Sequence, residues 1–360
     1  MVKLKVYRKE SYFMNLNTEE NSNLEQFTEL VSKVMRIEQT TWGRTEDQYL
    51  VRFSGQLIMP SSRAYSKLHE FFHVYQITPL FRKQKGKHLI FLKEGVFQEK
   101  PKKIWVNILL FAATVFSVFF AGLLASYSGP VTGDLSVMAA AIRPEEIGQA
   151  VAFTASLLGI LLAHEFGHYL AARRHGTAVT LPYLIPFPLN ILGTMGAFIS
   201  LQEPPKNKRH LLDIGLTGPF AGLIVAIPVT IFGLWLSPVE RLPNPLPEGF
   251  GFEGNSLLYL FLKYVVHGNL LPSPVDYGDL SPFFYWLRYF FTGNPLPAGG
   301  MDVVIHPVAW AGWAGLFVTG LNLLPAGQLD GGHLIYVLLG RENARKLRPF
   351  ILGLLLLMGF

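Results

Sequence analysis

The chain has 360 residues, of which 50% are hydrophobic and only 16% charged. Soluble proteins carry roughly 25% charged residues, so the composition excludes an ordinary water-soluble enzyme over the whole length and points to lipid as part of the solvent. The net charge of +6 is spread beside apolar runs, which favours a membrane surface over nucleic acid as partner, and the absence of cysteine excludes disulfides and thiolate metal sites.

In chain order, the N-terminal stretch MVKLKVYRKESYFMNLNTEE lacks the apolar core of a signal peptide and is expected on the cytosolic side. Residues 1–99 read as a small soluble α+β domain. A helix is expected over 24–37, a strand over 48–59, and a helix over 61–75 opened by capping serines. Two strands around a Lys/Gly turn are expected over 77–95. His69 and His73 lie four apart on that second helix without an adjacent Glu, and read as ordinary packing or surface residues.

From residue 100 the character changes, and 100–360 read as a membrane-embedded domain. Runs at 104–129, 148–172, 211–237 and 306–325 are expected to span. Lys100, Lys102, Lys103, Arg173, Arg174, Lys206, Lys208, Arg209, Arg341, Arg345, Lys346 and Arg348 fall on one side if the spans alternate. The opposite connections, 130–147 and 238–305, are acidic, holding among others Glu145, Glu240, Asp276 and Asp279. The excess of Lys and Arg then places the N-terminal domain and the ends of the second and fourth spans at the cytosol. The run 179–201 is apolar but holds Pro182, Pro186, Pro188, Gly193 and Gly196, and is expected to be a re-entrant hairpin facing a cavity. The last apolar run, 351–360, is too short to span.

The chemistry concentrates in LLAHEFGHYLAARRHG, residues 161–176. Positions i and i+4 share a helix face, so His164 and His168 aim two imidazoles at one point, and zinc accepts neutral imidazole nitrogens. Glu165 stands where it can take a proton from a water activated by that metal. Ionisable side chains at the end of an apolar run are costly and mark function. A third ligand is needed. Asp213 opens the third span, where a helix cap or dipole partner is the favoured reading. Asp330 follows the fourth, in NLLPAGQLDGGH, where Pro325, Gly327, Gly331 and Gly332 let the backbone turn at a matching depth.

His164-Glu165-Phe166-Gly167-His168, the segment Asn322–Gly331 and the small-residue pattern Gly218-Pro-Phe-Ala-Gly222 resemble the site-2 protease family of intramembrane zinc metalloproteases, over roughly residues 105–340. The variant LPAGQLDGGH looks most like the branch called ethylene-dependent gravitropism-deficient and yellow-green-like. The resemblance implies three transmembrane helices holding Zn²⁺ through His164, His168 and Asp330, with Glu165 catalytic. It also implies cleavage of peptide bonds in or next to the transmembrane helices of membrane-protein substrates. The connection 238–305 is too short to hold the PDZ domain of many bacterial relatives, and residues 1–99 lie outside the family core. Asn322 is a candidate for hydrogen bonding to the substrate backbone or the developing oxyanion. Gly196 and Phe198, in the best strand of the hairpin, are candidates for receiving an extended substrate along an open edge. Gly218 and Gly222 read as helix-packing residues, and His333 as an outer partner of the metal set. A metal or proton transporter using the same His/Asp cluster, or an inactive membrane scaffold, are the alternatives. The absence of an internal repeat disfavours the first, and the presence of Glu165 the second.

Overall fold

In a computed structural model the described residues are 18–43, 49–84, 86–95, 104–130, 132, 134–246, 252–293, 299–325 and 329–357. The N-terminal 17 residues, the basic stretch 100–103, Gly327 in the Asp330 loop and the final residues 358–360 lie outside this set. The chain divides into two compact units, Met1–Lys100 with Gln202–Asn207, and Pro101–Leu201 with Lys208–Phe360.

The first unit runs α1 (Thr18–Ser32), β1 (Met35–Trp42), β2 (Val51–Leu57), α2 (Ser61–His73), β3 (Ile77–Gln84) and β4 (Lys87–Glu94). Its antiparallel sheet has the order β1-β2-β4-β3. The first helix stops at Ser32, short of the expected 37, because Met35 to Trp42 pair with β2 instead. Tertiary pairing overrides local helical spacing here. In α2 the buried residues Ala64, Leu68 and Phe72 fall at intervals of four, a helix face turned to the core. Pro60, not a serine, occupies the N-cap, and no side chain caps the helix. The β3–β4 turn places Gly86 at φ 80, where glycine carries no steric penalty.

In the second unit, α3 (Ile104–Ser126), α5 (Pro144–Arg174) and α6 (Lys208–Trp235) are long and apolar enough to cross a membrane. A short α4 (Leu135–Ala140) precedes α5. The fourth expected span forms α9 (Pro307–Asn322), whose 16 residues rise only about 24 Å, less than the ~30 Å of hydrocarbon. Pro307 starts this helix and the chain leaves it at Asn322, which shortens the run that composition alone suggested. Beyond it, α10 (Asp330–Leu357) is broken at Gly340, where φ is 77. The run 351–360 thus begins inside a longer helix rather than standing alone.

The apolar run 179–201 forms a hairpin of β5 (Tyr183–Pro186) and β6 (Thr194–Phe198), pairing Tyr183 with Phe198 and Leu184 with Ala197. The Asn107 side chain of α3 donates to the carbonyls of Leu181 and Pro182 at 3.2 and 2.9 Å, and Ser117 Oγ donates to Gly193 O at 2.6 Å. Polar groups of an otherwise apolar helix thus satisfy the backbone of an irregular segment. The connection 238–305 is more than a loop. It holds α7 (Leu257–His267), α8 (Pro282–Thr292) and a ribbon of β7 (Val239–Arg241) with β8 (Met301–Val303) that closes its two ends. Helix α5 packs against α3, α6 and α9, and α10 packs against α6.

Candidate metal centre

Three ligand atoms from two helices meet in the second unit. His164 Nε2 and His168 Nε2, one turn apart on α5, stand 3.2 Å from each other. Asp330 Oδ2, at the start of α10, is 3.3 Å from the first and 3.2 Å from the second. His164 and His168 are buried and the Asp330 side chain is 18% exposed.

These separations test whether the residues fit a metal. Donors 2.0–2.1 Å from a tetrahedral zinc stand about 3.3–3.4 Å apart, and the observed 3.2, 3.3 and 3.2 Å lie within about 0.1 Å of that spacing. The atoms are also chemically suited. His168 Nδ1 lies 2.6 Å from the Ile214 carbonyl oxygen, which can only accept. The proton of that ring is therefore on Nδ1, and Nε2 presents a lone pair. A carboxylate oxygen and the bare Nε2 of His168, 3.2 Å apart, repel unless a cation or a proton lies between them. Among the described residues, these three form the group of His, Asp or Glu with metal-ligating spacing.

The close approach of the rings depends on α6. A Cβ on Gly218 would sit 2.0 Å from His168 Nε2, and one on Gly222 would sit 3.1 Å from His164 Nδ1. Both glycines keep the space the imidazoles occupy, so their role touches the chemistry more directly than the packing role expected of them. Gly167, between the two histidines, serves α5–α6 contact itself, since a Cβ there would meet Thr217 O at 2.4 Å. The Ile214 carbonyl escapes reading by motif, because a backbone acceptor carries no residue signature, and the small-residue pattern that includes Gly218 reads as helix packing without showing its contact with His168.

The other candidates divide. Glu165 is 6% exposed and turned into the same buried region, with the Ile199 amide, just beyond β6, donating toward its carboxylate. Asn322 Nδ2 lies 3.3 Å from His164 Nε2, so the last residue of α9 reaches the group. Asp213 does not: its Oδ2 is 3.0 Å from His175 Nε2, just past the end of α5, and His175 stacks on His210 with ring centres 4.0 Å apart. Its carboxylate serves a contact between α5 and α6. Phe198 is half exposed and stacks on Tyr183 across the hairpin, while Gly196 has φ 98 within β6. His333 is near α6 at Gly215 and is not one of the converging groups.

A group that could hold a metal, carried by the spanning-length helix α5 and the start of α10, fits a membrane metallopeptidase, and the model of Peptidase family M50 matches residues 152–360. That is more than half of the chain, which belongs to this family, the site-2 proteases. The chain is similar to the probable zinc metalloprotease EGY1, chloroplastic, of Arabidopsis thaliana, with 28% identity over 266 residues, 70% of this chain and 43% of the relative. The EGY1 counterpart of Oryza sativa subsp. japonica is 30% identical over 267 residues, 70% of this chain and 41% of the relative. The probable zinc metallopeptidase EGY3, chloroplastic, of Arabidopsis thaliana is 28% identical over 223 residues, 59% and 34% of the two lengths. The chain thus spans less than half the length of these relatives. No solved structure matches it. Family and apolar helices together make this a membrane protein.

Proposed function

We propose that the chain is an intramembrane zinc metalloprotease that hydrolyses peptide bonds in or next to the transmembrane helices of other membrane proteins. The convergence of His164, His168 and Asp330 at tetrahedral spacing carries this reading. These three residues would hold the zinc, which as a Lewis acid lowers the pKa of a water at its open position. Glu165 accepts the proton of the attacking water and returns it to the leaving amine. The Ile214 carbonyl keeps His168 in the ligating tautomer. In this reading Asn322, whose Nδ2 lies 3.3 Å from His164 Nε2, donates to the carbonyl of the scissile peptide or to the negative charge that develops on it.

A peptide bond in a helix is hidden by its own hydrogen bonds, so the substrate must be extended before attack. Strand β6 pairs with β5 on one side, and the chain just beyond it meets Glu165. In this proposal the hairpin is re-entrant, and the substrate lies along β6 near Gly196 and Phe198. The basic flanks support a cytosolic position for residues 1–99 and for the ends of α5 and α9. Residues 100–360 then form the membrane-embedded catalytic domain.

The test is Glu165→Gln, which keeps size and cannot accept the proton. It should retain zinc and lose cleavage of a model transmembrane substrate in liposomes by roughly 10²–10⁴-fold, the usual contribution of a general acid–base group. Cleavage within about a factor of two of wild type, far short of that range, would sink the reading.

A further inference from the structure

We propose that α7, although it lies in a segment that reads as an aqueous connection, is embedded in the membrane. Its outer face is covered by lipid acyl chains of the leaflet farther from the metal centre. The inference rests on α6 being a membrane helix and is independent of the catalytic reading.

The helix is apolar on two opposite faces. Inward, Tyr259 and Leu262 pack with Leu234 at the end of α6 and Ala309 on α9, with Ile227 and Trp313 alongside. Outward, Leu257, Leu258, Phe261, Tyr264 and Val265 are 75%, 37%, 59%, 51% and 55% exposed. Their spacing, i, i+1, i+4, i+7, i+8, is one continuous helix face without a charge. A helix packed against a protein and facing water carries polar residues on its outer side, whereas one apolar all round is buried or in lipid.

The one charged side chain of α7, Lys263, is turned inward. It is fully buried, its Nζ donates to Glu253 Oε1 at 2.7 Å, stands 3.8 Å from Asp302 Oδ1 and lies 4.8 Å from the centre of the Tyr259 ring. A water-facing helix would leave a lysine its solvent. Turning it in and pairing it is the arrangement expected where the outside is hydrocarbon.

Depth follows from α6. The helix lies against α6 between Ile227 and Leu234, within the spanning helix Lys208–Trp235, whose own Phe232 is exposed at this level. The outer face of α7 therefore continues a surface already in lipid. Gly218, at the metal centre, and Leu234 are 16 residues apart on one helix, about 24 Å. The eleven residues of α7 rise about 16 Å, half of the hydrocarbon depth, so the helix dips without crossing.

The chain has no cysteine, so single cysteines can be placed at Leu258, Phe261 and Val265, with exposed Asp279 of the same segment as reference. Each full-length variant is labelled with bimane and reconstituted in phosphatidylcholine vesicles. Nitroxide-bearing lipids should quench the label at the three α7 positions and iodide should not, with the reverse at Asp279. Iodide quenching at Phe261 and Val265 equal to that at Asp279 would place the face in water. Protection from both quenchers would place it against protein, a second copy or a bound helix. Either result overturns the proposal. The three positions report independently, so failure of one variant to fold leaves the outcome decided.

Discussion

His168 Nδ1 donates to the carbonyl oxygen of Ile214 at 2.6 Å, joining a metal-ligand candidate on α5 to the backbone of α6. The bond fixes which ring nitrogen carries the proton and leaves Nε2 free to face His164 and Asp330. It also ties the site to helix register: α6 cannot slide along α5 without taking away the acceptor.

Zinc stoichiometry separates the two aspartates. His164→Ala, His168→Ala and Asp330→Ala are each expected to lose the metal, measured by elemental analysis of the purified protein. Asp213→Asn is expected to keep it, since Asp213 pairs with His175. Full zinc in Asp330→Ala together with loss in Asp213→Asn would reverse the assignment.

Gly218→Ala is expected to expel zinc and abolish cleavage, because the new methyl would stand 2.0 Å from His168 Nε2. Gly148→Ala, near the start of the same α5 that carries the histidines, meets nothing within 4 Å. It is expected to keep both, with a gain of about 0.5–1 kcal/mol from the better helix former. Zinc content alongside helical circular dichroism distinguishes a displaced ligand from a lost fold.

Orientation has its own measurement. Single cysteines replacing exposed Ser62 and Asp279 should react differently with an impermeant maleimide in intact cells, only the second being labelled from outside. Equal labelling of the two would contradict a cytosolic first unit.

Asp302 predicts a pH dependence. Burial pushes its carboxyl up to about 6, with Lys263 pulling it down and Glu253 adding to the rise. A carboxyl that binds its proton more tightly in the folded state costs stability when ionised. That cost is fully present above the folded pKa and fades as pH falls through about 6. The thermal midpoint of the wild type should therefore rise, relative to that of Asp302→Asn, between pH 7 and pH 5. A constant difference across that interval would show that Asp302 does not titrate there.

By itself the sequence determined the pieces governed by local chemistry. The spacing of His164 and His168 puts two imidazoles on one face of any helix, and the apolar runs forecast α3, α5 and α6 because length and composition suffice for a spanning helix. The β3–β4 hairpin was equally legible from its Lys/Gly turn. Only tertiary structure decided the rest. The Pro/Gly turn around Asp330 already favours it over Asp213, but that its carboxylate reaches His168 while Asp213 reaches His175 depends on how α10 and α6 meet α5, a separation of more than 160 residues for the first pair. The closeness of Gly218 to His168 and the acceptor at Ile214 belong to one helix pressed on another, which no spacing within either helix encodes. The first helix ended early because β1 found a partner in β2. Helix α7 emerged from a segment that looked like a loop, since its apolar faces take on meaning only once Lys263 is turned inward against Glu253.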